Sequence, residues 1–161
     1  MNTNAVLFGF ALAVSVATVS PGFSQQAPPP SERAKQTEAL VNRAAALVDK
    51  NGKAAFAEFR RKDSEWFHDG TYLFSYDMNA NVLLNPAFPK REGTNVHGQK
   101  DAKGKFFHDE IIKTVETMGS GWVDYMFPKP GQTEPSQKWT YVKKVTIDGK
   151  PGLIGSGFYP E

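Results

Sequence analysis

Two segments, 72–84 (YLFSYDMNANVLL) and 121–128 (GWVDYMFP), constrain this chain most, because both set aromatic residues at strand spacing. Tyr72, Phe74 and Tyr76 fall on one side of an extended segment and Thr71, Leu73 and Ser75 on the other, a period of two that belongs to strands. Asp77 to Asn81 are turn residues, and 82–84 is a return strand that Pro86 ends, so the first segment is a hairpin. Buried Tyr and Trp need hydrogen-bond partners. The crowding of Tyr72, Phe74, Tyr76, Trp122, Tyr125 and Phe127 therefore points to a site that holds something, beyond a plain core.

The rest of the chain supplies the elements around those strands. Ser31 is an N-cap, Glu32 suits a first turn, and Leu40, Val41, Ala44, Leu47 and Val48 share one helical stripe that Asn51 and Gly52 stop. A shorter helical piece follows, with Phe56 and Phe59 inward, and the basic pair Arg60 and Arg61 reads as a solvated helix end. Residues 85–104 form a polar connection with Pro86, Pro89, Gly93, Gly98 and Gly104, too long for a mere link and so a candidate functional loop. A helix is expected over about 105–118, with Phe107, Ile111, Val115 and Met118 as its buried stripe. Strands over 122–127, 138–147 and 153–158 follow, the last two joined by the tight-turn pair Asp148 and Gly149. This order predicts an α+β domain with one antiparallel five-stranded sheet covered by helices on one side.

The first 24 residues hold no charged side chain, and 5–19 is almost wholly apolar, which is the middle of a secretory signal peptide. Cleavage is expected after Ser24 or Ala27. The organisation expected is a signal peptide at 1–24, a Pro-rich spacer at 25–30 and one domain over 31–161, in the periplasm or secreted. The chain has no Cys, which excludes thiol nucleophiles, Fe–S clusters and Cys-type zinc sites. Nineteen Lys plus Arg are scattered among seventeen Asp plus Glu, for a net charge of +2. That balance gives no support to nucleic-acid binding, which needs a concentrated basic face.

Several features together resemble the single Cache domain of extracytoplasmic bacterial sensors, over about residues 31–159. They are the order of elements, Gly70 before an aromatic strand ending in Tyr76 and Asp77, and the helix 106–118 followed by Gly119 to Trp122. The strand ending in Phe127 and Pro128 and the closing run 155–159 (GSGFY) complete the likeness. The resemblance implies a PAS-like antiparallel five-stranded sheet, a long N-terminal helix and a helix between strands 2 and 3. It also implies a pocket between the sheet and the loops and helix on its other face, for small molecules, often carboxylates or amino acids, walled by Phe74, Tyr76, Trp122, Tyr125 and Tyr141. The turn at Met78 to Asn81 departs from the family pattern, which carries a Gly there, so a wider hairpin is expected. The chain ends two residues after Tyr159, and the expectation is a stand-alone binder without its own output module.

A small anion needs a cation or several N–H and O–H donors in a partly dry pocket. His97, Lys100, Lys138, Tyr76, Tyr125, Tyr141 and the Trp122 indole are the donors considered for that role. Other chemistry finds less support. His68, His97 and His108 match no zinc spacing and read as surface or capping residues. Asp77, Asn79 and Asn81 imitate the start of a calcium loop, but Val82 and Phe88 stand where Gly and Glu would be required. Ser156 between Gly155 and Gly157 lacks the spacing of a nucleophile elbow and reads as a narrow backbone contact. The expectation is thus a small-molecule binding protein with no enzyme activity, cofactor or metal. The alternative is a protein-interaction module that docks to a membrane receptor, with an apolar patch near 127–130.

Overall fold

The computed structural model describes residues 26–160; the expected signal peptide at 1–24 lies outside them. Helix α1 (Glu32–Asn51) begins where the sequence places it, with the Ser31 hydroxyl accepting a hydrogen bond from Ala34 N at 3.1 Å. Its buried stripe is Thr37, Leu40, Val41, Ala44, Ala45 and Val48. Gly52 ends it at φ 59, a conformation that costs glycine little. A 3₁₀ turn (Gly52–Ala55) and the short α2 (Phe56–Phe59) follow, with Phe56 and Phe59 buried. Pro28 of the Pro-rich spacer is buried too, so that stretch lies partly against the domain.

Five strands form one antiparallel sheet in the order β2-β1-β5-β4-β3. They are β1 (Leu73–Asp77), β2 (Val82–Leu84), β3 (Ser120–Pro128), β4 (Pro135–Ile147) and β5 (Lys150–Phe158). Helix α3 (Phe107–Met118) lies between β2 and β3 in the chain, so the fold is the PAS-like α+β arrangement. The β1–β2 turn is held by Asp77, whose carboxylate accepts from Asn79 N, Asn81 N and Asn81 Nδ2. Ala80 sits there at φ 65, and the β1–β2 register shifts between Ser75 and Tyr76. Asp148 and Gly149 carry φ of 50 and 79, the left-handed pair that a two-residue hairpin turn requires.

The strand period divides the core in two. Leu73, Leu84, Tyr141, Val145, Ile147 and Ile154 pack with α1 and α2 on one face. Phe74, Tyr76, Val82, Val123, Tyr125, Val142 and Leu153 pack with α3 on the other. The reading from element order, helices on one side, is therefore corrected: both faces are covered, as the family resemblance implies. The physical reason is visible in β4, where consecutive residues Lys138 to Val142 are all buried, leaving no solvent face along that stretch. Met118 is also corrected. It is 45% exposed, because the last turn of α3 overhangs a groove beside Trp122 instead of the sheet.

Candidate functional site

The α3 face of the sheet carries a cluster of rings around one amine. Tyr72, Phe74 and Tyr76 come from β1 and the residue before it, and Tyr125 and Phe127 from β3. Phe107 stacks on Tyr125 at 4.2 Å from the roof helix, and Phe88 of the long loop meets Phe127 at 5.2 Å, edge to face. Lys138 enters from β4 and is 1% exposed. Its Nζ donates to Tyr72 Oη at 2.8 Å and lies over the Tyr72 ring at 4.3 Å, with Tyr159 and Phe127 at 5.4 and 5.5 Å. Room for this side chain comes from β5. A methyl group on Gly157 would strike Trp139 O, Thr140 Oγ1 and Lys138 Cε, and one on Gly155 would strike Phe74.

No carboxylate among the described residues pairs with Lys138, and burial alone pulls its ammonium down to about 7. A buried cation ordinarily has an anionic partner. Arg91, from the 3₁₀ turn Pro89–Arg91 of the long loop, reaches the same cluster: its guanidinium lies 5.5 Å from the Phe127 centroid. Arg91 Nη2 donates to His108 Nε2 at 3.0 Å. Arginine can only donate, so His108 Nε2 is the acceptor and its proton sits on Nδ1. That Nδ1 is buried without a partner, as is Arg91 Nε. Burial and the Arg91 charge hold His108 down at about 3, so the ring is neutral. Burial likewise raises Tyr72, Tyr76 and Tyr125 above the ordinary phenol range, leaving them as neutral hydroxyls. The cluster thus contains three donors in need of an acceptor: the Lys138 ammonium, Arg91 Nε–H and His108 Nδ1–H.

The residues named from the sequence divide between two faces. Phe74, Tyr76, Tyr125 and Lys138 meet on the α3 side. Trp122 and Tyr141 do not join them: they pair with each other across β3 and β4, rings 5.2 Å apart, on the α1 side. The reason is parity, since Trp122 and Tyr125 differ by an odd number of strand positions and must point to opposite faces. His97 is exposed and bonds Asp109 Oδ1 at 2.8 Å, and Lys100 is exposed over the Phe106 ring at 4.8 Å. Neither reaches the cluster. Arg91, His108, Phe88, Phe107 and Thr140 were missed. His108, expected at the surface, is 1% exposed; its spacing of three and seven from Ile111 and Val115 was a usable helical signal. Arg60, expected as a solvated helix end, is instead paired with Glu92 across two hydrogen bonds of 2.7 and 2.9 Å.

Two surface grooves lie elsewhere. One of about 880 Å³ runs past Arg33, Arg43, His68, Lys129 and Tyr159, where the start of α1 meets the end of β5. The other, about 500 Å³, runs between α3 and β3 beside Phe106, Met118 and Trp122. Phe127, in the apolar patch expected at 127–130, is instead half-buried against the α3-side core. Among the described residues the exposed large apolar side chains are Phe106 and Met118, at 48% and 45%. Among the described residues no three His, Asp or Glu side chains converge as a metal site, and no helix is long and apolar enough to cross a membrane.

A PAS-like sheet with buried, unpaired donors against one face is the arrangement of a sensor domain. The chain belongs to the Cache domain family, whose model matches residues 35–161. It is 30% identical over 92 residues to the methyl-accepting chemotaxis protein McpP of Pseudomonas putida, a stretch of 57% of this chain and 16% of that protein. It is 30% identical over 88 residues to the sensor histidine kinase MctS of Rhizobium johnstonii, covering 55% and 18%. The matched stretch is thus under a fifth of either relative's length. Among solved structures, a periplasmic sensor domain of a chemotaxis protein superposes with TM-score 0.64 at 27% identity, covering 80% of this chain and 95% of that one. A Cache chemosensory domain studied for carboxylic acid recognition superposes at 0.68 with 25% identity, covering 80% and 93%.

Proposed function

We infer that this chain is an extracytoplasmic sensor domain that binds a small carboxylate on the α3 face of its sheet. The observation that carries the reading is Lys138, an amine enclosed by rings that, among the described residues, bonds the Tyr72 hydroxyl and has no carboxylate beside it. A ligand carboxylate would supply the missing charge and also accept from Arg91 Nε–H or His108 Nδ1–H, turning two of the three costly donors into paired ones. Phe74, Tyr76, Tyr125 and Phe127 then wall the short carbon chain. The apolar run at 5–19 supports export, and the carboxylic acid recognition of a structural neighbour supports the ligand class. Binding, with no bond made or broken, is all this arrangement requires.

Calorimetric titration with acetate, propionate, pyruvate and succinate tests the reading. Binding of at least one below millimolar Kd, lost in Lys138→Met, is expected. Absence of heat from the wild-type protein at millimolar ligand would end it.

The groove beside Phe106, Met118 and Trp122 favours a second role, docking to a membrane receptor through an exposed apolar patch. A photocrosslinker at residue 118 should then trap one receptor stoichiometrically in envelope membranes, and diffuse labelling would remove this role.

A further inference from the structure

Arg91 is held in the ring cluster from outside it. Its backbone is anchored, with Arg91 N donating to Phe88 O at 3.0 Å and Arg91 O accepting from Thr94 N at 3.1 Å and Thr94 Oγ1 at 2.6 Å, and besides His108 its Nη2 donates to Gln99 Oε1 at 3.3 Å. The next residue carries the anchor to the rest of the molecule. Glu92 Oε1 accepts from Asn85 N at 2.7 Å and from Arg60 Nη1 at 2.7 Å, while Oε2 accepts from Arg60 Nη2 at 2.9 Å. One carboxylate thus closes the loop from residue 85 to residue 92 and fastens it, fork to fork, to residue 60.

Arg60 is itself fixed. It caps α2, with its N–H donating to Phe56 O at 3.2 Å, and the neighbouring Phe56 and Phe59 are buried in the α1-side core. The pair therefore joins the two layers that sandwich the sheet, passing around its β2 edge. Fork-to-fork Arg–carboxylate pairs fix orientation as well as distance. The pair is partly shielded, with Glu92 23% and Arg60 41% exposed at the side chain.

We propose that Glu92 and Arg60 form a positioning strut that sets Arg91 against His108, and that anion binding at Arg91 is felt through this strut by α2 and the end of α1. Neither Glu92 nor Arg60 reaches the ring cluster. Their effect runs through Arg91. The binding half of this inference rests on the carboxylate reading above; the positioning half does not.

The test uses the whole protein with Glu92→Gln, Arg60→Gln, the double variant, and the conservative Arg60→Lys, beside Arg91→Gln as the reference. ¹⁵N spectroscopy of the His108 ring reads the strut without any ligand. In the wild type, the Arg91 donor fixes the Nδ1–H tautomer. Glu92→Gln and Arg60→Gln should release it toward a mixture of tautomers, as Arg91→Gln does, with Arg60→Lys keeping much of the wild-type signature. Propionate affinity should fall about tenfold in Glu92→Gln, with the double variant no worse than the single ones. In the wild type, propionate should also slow amide exchange over residues 52–60, and Glu92→Gln should abolish that protection.

A merely stabilising salt bridge would lower Tm and leave the folded-state ring signature untouched. A wild-type His108 signature in Glu92→Gln, where Arg91→Gln changes it, overturns the strut even if carboxylates bind. Loss of the signature in a protein that binds none of the four acids keeps the positioning role, overturns the transmission to α2, and defeats the ligand reading alone.

Discussion

Lys138 concentrates the chemistry of this chain in one side chain. Its ammonium is held at about 7 by burial, against about 10.4 in an unfolded chain. Between those values the unfolded chain holds a proton that the folded one lacks, so the ligand-free protein gains stability as pH rises through that window. Urea midpoints at about pH 7 and pH 9.5 should show the gain in the wild type and lose that share of it in Lys138→Met. The same variant should be more stable at pH 6, by about 1 kcal/mol or a few degrees in Tm, because an unpaired buried charge has gone. Ligand binding reverses the direction: a carboxylate favours the ammonium, so binding above pH 7 takes up a proton and weakens as pH rises. Titrations in two buffers of different ionisation enthalpy would reveal the uptake, and identical heats would count against it. His108 acts in acid. Held at about 3 by burial and the Arg91 charge, it costs stability as pH falls from about 6.5, since the unfolded imidazole takes the proton first.

At the scale of elements, alternation in β1 was readable because Tyr72, Phe74 and Tyr76 share a parity, and all three are buried on the α3 face. The same rule, applied to Trp122 and Tyr125, separates the two residues that the pocket reading had joined. β4 hid its secret better. Lys138 was named from the sequence as a donor by residue type, but its complete burial was not legible at the start of a strand, and it is the β3–β4 register that sets it opposite Tyr125. The long loop gave no period to read, so Arg91 was silent, whereas its turn residues were legible. That loop is stapled to the sheet edge by Asp101, which accepts from Lys103 N, Lys105 N and Met126 N at 2.8 to 2.9 Å. Hydrogen bonds from these amides hold its carboxyl low against the effect of desolvation. Asp101→Asn should cost about 1 kcal/mol, and the loss should shrink as pH falls below the carboxylate range, a trend that urea titration at pH 7 and pH 3.5 would detect. For α1, Ser31→Ala should cost about 1 kcal/mol through the lost cap.

The whole molecule is two small cores on one shared sheet. Arg33 Nη1 donates to Tyr159 O at 3.1 Å and Lys143 Nζ to Asn42 Oδ1 at 2.8 Å, so α1 is tied at its start to the end of β5 and at its middle to β4. Cores that share every strand cannot melt separately. Unfolding followed by far-ultraviolet dichroism and by tryptophan emission should therefore coincide; separated midpoints would mean the α1 layer leaves the sheet first. The element order was enough to give an α+β domain with one five-stranded sheet, and the family resemblance supplied the PAS-like arrangement with a helix on the second face, which element order alone leaves open because apolar strands tolerate cover from either side.

Gly155 and Gly157 lend that second face its depth. They withhold two methyl groups beneath Phe74 and the stem of Lys138, so the reach of the amine is set by what β5 leaves out. An alanine at 155 would displace the Phe74 ring and one at 157 would press on the Trp139 carbonyl and the Lys138 stem, so a strand whose glycines carry no side chain sets the shape of the space above it.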